Sequence, residues 1–160
     1  MLLTLIRHGE ALAPNAPLGD EGRALSLHGR RQASATGEAL ASRGLRPTQI
    51  WSSPLVRAVQ TAELVAAALP YDGLIAARGD LYSHSHPLDL ITTIRAAGEN
   101  ASIIAVGHEP FMSTAASQLL GIYVAGFSTA AAFHFELDRS GSGSGPATLR
   151  WRWTGRFIAA

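Results

Sequence analysis

Three places in this chain put chemically capable side chains directly after short apolar runs. Residues 2–6 are apolar and break into Arg7-His8-Gly9, and residues 102–106 break into Gly107-His108 ahead of Pro110. Between them, Ser52-Ser53-Pro54 follows a short run over 49–51, with Arg57 one turn further on. A single Arg-His-Gly triplet says little, because a histidine after a strand is often a structural residue. Three such ends together supply two arginines and two histidines. Arginine stays charged and offers a planar fork to two oxygens of a phosphate. A neutral imidazole can attack phosphorus in line through one ring nitrogen if the other donates a hydrogen bond that fixes the tautomer.

The elements that must position these residues read as alternating strands and helices. Ser26 caps a helix over 27–43 in which Gly29, Ala33, Gly37 and Leu40 share one face, and Gly44 stops it. Ser53-Pro54 is expected to cap and open a second helix running to Leu69, with Leu55, Val59, Ala62, Ala66 and Leu69 as its buried stripe and Arg57 off that stripe. Pro87 opens a third helix to Ala97, and Pro110 a fourth ending near Gly121. Residues 11–23, with Pro14, Pro17, Gly19 and Gly22, form a loop. Phe133, Phe135 and Leu137 alternate with His134 and Glu136, and Leu149, Trp151 and Trp153 alternate with Arg150 and Arg152, which predicts a two-stranded antiparallel ribbon turning at 140–146. The fold class expected is α/β, a three-layer α/β/α arrangement with a mainly parallel central sheet, a C-terminal antiparallel ribbon and function at the carboxyl ends of the strands.

Composition bounds the rest. The chain has 160 residues, 47% apolar and 16% charged, with a net charge of +1 and no cysteine. It is therefore read as one domain over 1–160, with neither the charge for nucleic-acid or membrane-surface binding nor any thiol chemistry. The apolar run at 2–6 is too short for a signal-peptide core, and no stretch is long enough to span a bilayer, so a soluble cytoplasmic protein is expected.

The motifs jointly resemble the histidine phosphatase superfamily, the phosphoglycerate mutase-like branch, and within it the small SixA-type phosphohistidine phosphatases. The resemblance runs through Leu5-Ile6-Arg7-His8-Gly9-Glu10, Ala24-Leu25-Ser26 with Gly29, Ser52-Ser53-Pro54-Leu55-Val56-Arg57-Ala58-Val59-Gln60-Thr61-Ala62-Glu63, Val106-Gly107-His108-Glu109-Pro110, and a SixA-type ending at Phe127-Ser128-Thr129-Ala130. It implies His8 as nucleophile, with Arg7, Arg57 and His108 holding the phosphate and His108 protonated by the bound dianion. Preorganised donors of this kind are each worth about two to three powers of ten in rate. Substrate would pass its phosphoryl group to His8, and phospho-His8 would pass it to water, with no cofactor and no metal.

Mutase-like relatives carry a glutamate as general acid, whereas Gly79-Asp80-Leu81-Tyr82 is the nearest offering here, making Asp80 the candidate. A departing imidazole, whose conjugate acid titrates near pH 6.5, hardly needs a strong acid, so the missing glutamate suits P–N cleavage. The short stretch from Tyr82 to Pro87 leaves little room for a lid, and an open pocket would admit a phosphorylated protein such as a histidine phosphotransfer domain. The rivals are a phosphomonoesterase or mutase acting on a small phosphate ester, and a non-catalytic phosphoprotein reader. A zinc site built from His84, His86 and His108 ranks last, since no carboxylate motif accompanies that spacing. Glu10 either orients the nucleophile or plays a structural part, His28 and His134 are expected on exposed faces, and Trp151 and Trp153 are expected in the core.

Overall fold

Among the described residues, seven strands form one sheet: β1 (Leu2–Arg7), β2 (Gln49–Ser52), β3 (Ile75–Ala77), β4 (Ser102–Gly107), β5 (Ala132–Leu137), β6 (Ala147–Trp153) and β7 (Phe157–Ala159), in the spatial order β3-β2-β4-β1-β5-β6-β7. The computed structural model describes residues 1–14, 19–137 and 147–159, so the turn expected at 140–146 lies outside the described residues. Strands β1 to β4 pair in parallel, and β5 runs antiparallel to β1. Leu3 and Leu5 face one side of β1 and Thr4 and Ile6 the other, and all four are buried, as a sheet covered on both faces requires.

The cover is supplied by four helices, α1 (Leu27–Ser42), α2 (Val56–Ala67), α3 (Pro87–Ala96) and α4 (Phe111–Leu120). Leu90, Ile94, Phe111, Met112 and Ala115 of α3 and α4 share a core with Leu3, Leu5, Ile103 and Phe135. Leu40 of α1 and Ala58, Ala62 and Val65 of α2 share a second core with Ile6, Ile50, Ile104 and Val106 on the opposite face. The three-layer arrangement follows. Ser26 caps α1 by accepting from the Gly29 amide, and Gly29, Ala33, Gly37 and Leu40 are buried as expected. A Cβ on Gly29 would collide with the Glu10 carbonyl oxygen, so only glycine lets α1 press its backbone against the loop that carries His8.

Four expectations need correction. The C-terminal ribbon is not two-stranded: β7 adds a third strand, and β5 bonds to β1, so the ribbon continues the main sheet and closes what would otherwise be an unpaired edge. A register shift between His134 and Phe135 sets Trp151 opposite His134 but Leu149 opposite Phe135. Leu149 therefore packs with the α3–α4 core, while Trp151 joins the α1–α2 core. His134 is not exposed. It is only 5% accessible, because β5 lies inside the sheet, where its ring bonds the Thr4 hydroxyl at 2.9 Å and stacks on Trp151. Finally, α2 starts at Val56 rather than Pro54, and its buried positions are Arg57, Ala58, Thr61, Ala62 and Val65. Of the expected stripe Leu55, Ala62 and Leu69 are buried and Val59 and Ala66 half-buried; the buried face is wider than expected because α2 packs against α1 as well as the sheet, with Gly37 lying close to Val65 and Ala68. Among the described residues no helix is long and apolar enough to cross a membrane.

Candidate functional site

Residues far apart in the chain meet here because β2, β4 and β1 are adjacent parallel strands that end at one level. Arg7 lies beside Gly107, and Ser52 beside Val106. The ladder continues one residue further, with the His8 amide bonding the Gly107 carbonyl and the Ser53 amide the Val106 carbonyl, each at 2.9 Å. The loops after three strands therefore leave side by side, about one strand spacing, near 4.8 Å, apart.

This brings the His8 and His108 rings to a centroid separation of 5.0 Å. His8 Nδ1 lies 2.6 Å from the Gly9 carbonyl oxygen. A carbonyl can only accept, so Nδ1 carries the proton and Nε2 presents a bare lone pair. Burial, then the positive charges of Arg57, Arg7 and Arg23, push the His8 pKa down to about 4, against the opposing pull of the Gly9 carbonyl. His8 is neutral at pH 7. Burial, then His8, Arg57 and Arg7, lower His108 to about 3 in the same way, partly offset by Asp20. His108 Nε2 sits 2.7 Å from Ser53 Oγ, while its Nδ1 is buried without a hydrogen-bond partner among the described residues. That pairing accounts for the late start of α2: the Ser53 hydroxyl is committed to His108, and its contact with the Leu55 amide is a long 3.4 Å.

Both arginines are tethered by main-chain carbonyls. Arg7 Nη1 donates to Phe127 O at 2.7 Å, while its Nε is buried without a partner among the described residues. Arg57 is only 6% accessible; it donates through Nη1 to Asp20 O at 2.7 Å and through Nη2 to Asp20 Oδ2 at 2.9 Å. Beneath them, the fully buried Thr61 accepts from the Gly9 amide at 3.1 Å and donates to the Arg57 carbonyl at 2.7 Å. One hydroxyl thus ties the His8 loop to the turn of helix that carries Arg57. On the other side Gln32 accepts from the Glu10 amide and donates to Thr129 Oγ1, each at 2.9 Å. Ala130, at a φ of 56°, turns the chain so that its amide meets the His8 carbonyl and the Ala131 carbonyl meets the Arg7 amide.

The structure therefore brings together Arg7, His8, Arg57 and His108, and sets the remaining candidates apart. Both carboxylate oxygens of Asp80 accept from Arg78, at 3.0 and 2.7 Å, and Arg78 lies over the Trp51 ring. The pair raises the Arg78 pKa. Among the described residues no hydrogen bond links Asp80 to the two histidines or to Arg7 and Arg57. Glu10 accepts from the Ser26 hydroxyl at 2.6 Å at the start of α1, a structural role. His84 and His86 are exposed, His86 capping α3, and the described residues hold no cluster of three or more histidine or acidic side chains suited to a metal.

Asp20, Arg23 and Thr61 join the site without having been singled out by residue type, and Ser53, expected as a helix cap, joins it as the partner of His108. Asp20 and Arg23 stand in a Gly- and Pro-rich segment that reads as a connector, and their one sequence signal is an opposite charge three residues away.

Residues 3–77 match the family model of the histidine phosphatase superfamily, branch 1. The chain is 34% identical over 70 residues to the mitochondrial serine/threonine-protein phosphatase Pgam5 of Drosophila ananassae, a match covering 44% of this chain but only 24% of that protein's length. Its fold is that of the protein histidine phosphatase SixA solved with tungstate, with a TM-score of 0.86 at 24% identity over 95% of this chain and 96% of that one. SixA from Agrobacterium tumefaciens gives 0.79 at 24% identity over 99% and 97%.

Proposed function

We propose, from the match of residues 3–77 to the family model of the histidine phosphatase superfamily, that this chain belongs to that superfamily, that it is a phosphatase forming a covalent phospho-His8 intermediate, and that its substrate is a protein phosphohistidine. The observation that carries the reading is the state of the nitrogens around His8. Its Nε2 is unprotonated and turned free by the Gly9 carbonyl, while Arg7 Nε and His108 Nδ1 are buried polar atoms lacking a partner among the described residues. Leaving a buried polar group unpaired costs about 1–3 kcal/mol, a cost that a bound oxyanion relieves at Arg7 Nε and, once His108 is protonated, at His108 Nδ1.

In the first step His8 Nε2 attacks phosphorus in line, and the bond to the leaving group breaks with its electron pair. Arg7 and Arg57 hold the equatorial oxygens, and His108 adds a further donor. A phosphoryl dianion opposes the burial and the arginine charges that keep His108 neutral in the empty site, so His108 gains its proton as the substrate binds. In the second step water attacks the phosphorus of phospho-His8, orthophosphate departs, and the electron pair returns to Nε2.

Asp80 favours the phosphohistidine reading over a phosphate ester. Its oxygens are taken up by Arg78, which leaves the leaving group without an evident acid. A departing imidazole, whose conjugate acid titrates near pH 6.5, tolerates that far better than an alkoxide does. The short segment between Tyr82 and Pro87 offers little chain for a lid, which suits a protein-borne phosphohistidine such as that of a histidine phosphotransfer domain. The test pairs the wild-type chain with His8→Ala. Wild type is expected to release phosphate from a phosphohistidine peptide at metal-free neutral pH, faster than from a sugar phosphate, and to trap radiolabelled phosphate on quenching. His8→Ala is expected to do neither. Turnover retained in His8→Ala removes the nucleophile; faster release from the sugar phosphate makes the chain a phosphomonoesterase.

A further inference from the structure

The site already contains an anion. The two carboxylate oxygens of Asp20 bridge two guanidiniums, Oδ2 on Arg57 Nη2 and Oδ1 on Arg23 Nη1, both at 2.9 Å. This is the two-pronged contact that a phosphoryl group makes with a pair of arginines. The carboxylate lies close enough to His108 to act on its protonation, as Arg23 does on that of His8.

Whether such a carboxylate is a fixed strut or an exchangeable occupant depends on what else holds the cations. Arg57 keeps a bond from Nη1 to the Asp20 main-chain carbonyl at 2.7 Å, and Arg23 keeps one from Nε to the Leu12 carbonyl at 2.6 Å. Each guanidinium is anchored to backbone and spends one further nitrogen on the carboxylate. The Asp20 side chain is 59% exposed whereas that of Arg57 is 8% exposed, so the carboxylate can swing into water while the guanidinium stays in place. Charge points the same way. Arg7, Arg23 and Arg57 bring three positive charges beside two neutral histidines, and a lone carboxylate neutralises one of them, whereas a phosphoryl dianion neutralises two.

We propose that Asp20 sets the affinity of the phosphate site, as a resident carboxylate that occupies Arg57 and that an incoming phosphoryl dianion must displace. The proposal rests on the reading of Arg57 as a phosphate-binding residue. It assigns Arg23 the part of retaining Asp20 after the exchange, through Oδ1.

The probes are inorganic phosphate and methanesulfonate, a tetrahedral monoanion, measured as competitive inhibitors of the wild-type chain, Asp20→Asn and Asp20→Ala, each checked by its melting curve. Removing the competing charge is expected to tighten phosphate by about tenfold or more, the scale of one like charge a few ångströms away at a partly hydrated site. Methanesulfonate, with one charge to offer the arginines, is expected to inhibit wild type more weakly than phosphate and to gain by a similar factor, since it competes with the same carboxylate. In the wild-type chain, which needs no variant to fold, saturating phosphate is expected to shift the Asp20 carboxyl carbon resonance. Equal or weaker phosphate binding by the two variants, or an Asp20 resonance unmoved by phosphate, makes the carboxylate a strut and overturns the proposal. Failure of phosphate to bind wild type at all overturns the phosphatase reading and this proposal with it.

Discussion

One sheet holds buried histidines in two settings, and the contrast between them separates structure from chemistry. His134 sits in the middle of β5, and His8 and His108 sit just beyond the ends of β1 and β4. Burial is the first cause lowering all three, His134 to about 4, His8 to about 4 and His108 to about 3. A depressed pKa therefore does not mark function here. The difference lies in the nitrogens and the neighbours. His134 meets one hydroxyl and one stacked indole, with Arg150 and Glu136 as the charges that act on it. At the strand ends a lone pair is left open on His8, a buried nitrogen on His108 is unpartnered among the described residues, and two further arginines press on both rings.

The sharpest way to break that contrast is to delete one histidine from each setting. His108→Ala is expected to lower kcat by about two to three powers of ten, as loss of one preorganised donor does, and to cost about 1–3 kcal/mol in stability because the buried Ser53 hydroxyl loses its partner. His134→Leu is expected to match it in stability and to spare kcat. It leaves the Thr4 hydroxyl without its partner and costs about 1–3 kcal/mol in stability, while kcat stays within twofold of wild type. Denaturant melts and initial rates on the same preparations check both, and a large kcat loss in His134→Leu erases the distinction.

Acid titration tests the feature that the two settings share. Imidazole carbon resonances followed by NMR should place His8 and His134 near pH 4 and His108 lower still, all well below the unperturbed 6.5. The sign for stability follows. Between about pH 6.5 and pH 4 the unfolded chain binds protons at these three positions that the folded chain refuses, so stability is full above that window and declines as pH falls through it. His134→Leu should flatten the decline by its own share without moving the His8 titration. Three resonances titrating near 6.5 would mean that neither setting is dry.

The strand ends were legible in the sequence because each apolar run stops at a residue type that does not continue a β-favouring apolar run: Arg7, Ser52, Gly107. The four side chains that meet there could be named for the same reason. Asp20 could not, because a salt bridge three residues long in a Gly- and Pro-rich segment looks the same whether it floats in water or reaches Arg57 across 37 positions. The burial of His134 was hidden for a different reason. Alternation along β5 gives two faces but not their cover, and that cover comes from β1 on one side and from a bulged β6 on the other. Short strands such as β3 and β7, three residues each, carry too few positions for a period to appear.

Thr61 sharpens the comparison from beneath the site. Thr61→Val keeps the shape but removes the acceptor for the Gly9 amide and the donor to the Arg57 carbonyl. Stability should fall by about 1–3 kcal/mol for the buried unpaired amide. If Thr61 positions His8 and Arg57, kcat also falls by about tenfold, since small misplacements of reacting groups are costly, and Thr61→Ser restores it. A melting point loss with kcat unchanged would put Thr61 with His134, among residues that only hold the fold together.

The smallest expected effect concerns the turn that supports His8 from the side opposite Thr61. Ala130 adopts a φ of 56°, a left-handed conformation that costs a residue with a Cβ about 1–2 kcal/mol. Glycine removes that strain but loses about 0.5–1 kcal/mol of chain entropy relative to alanine. The balance for Ala130→Gly is therefore a gain of about 0–1.5 kcal/mol, read as a small rise in melting temperature. The Ala130 amide donates to the His8 carbonyl and its own carbonyl accepts from Thr36 at 2.8 Å, bonds that glycine keeps. With that frame retained, kcat should stay near wild type. A rise in stability accompanied by a fall in kcat would mean instead that the strained alanine stiffens the loop carrying the nucleophile, and that the strand-end setting depends on strain as well as on open nitrogens.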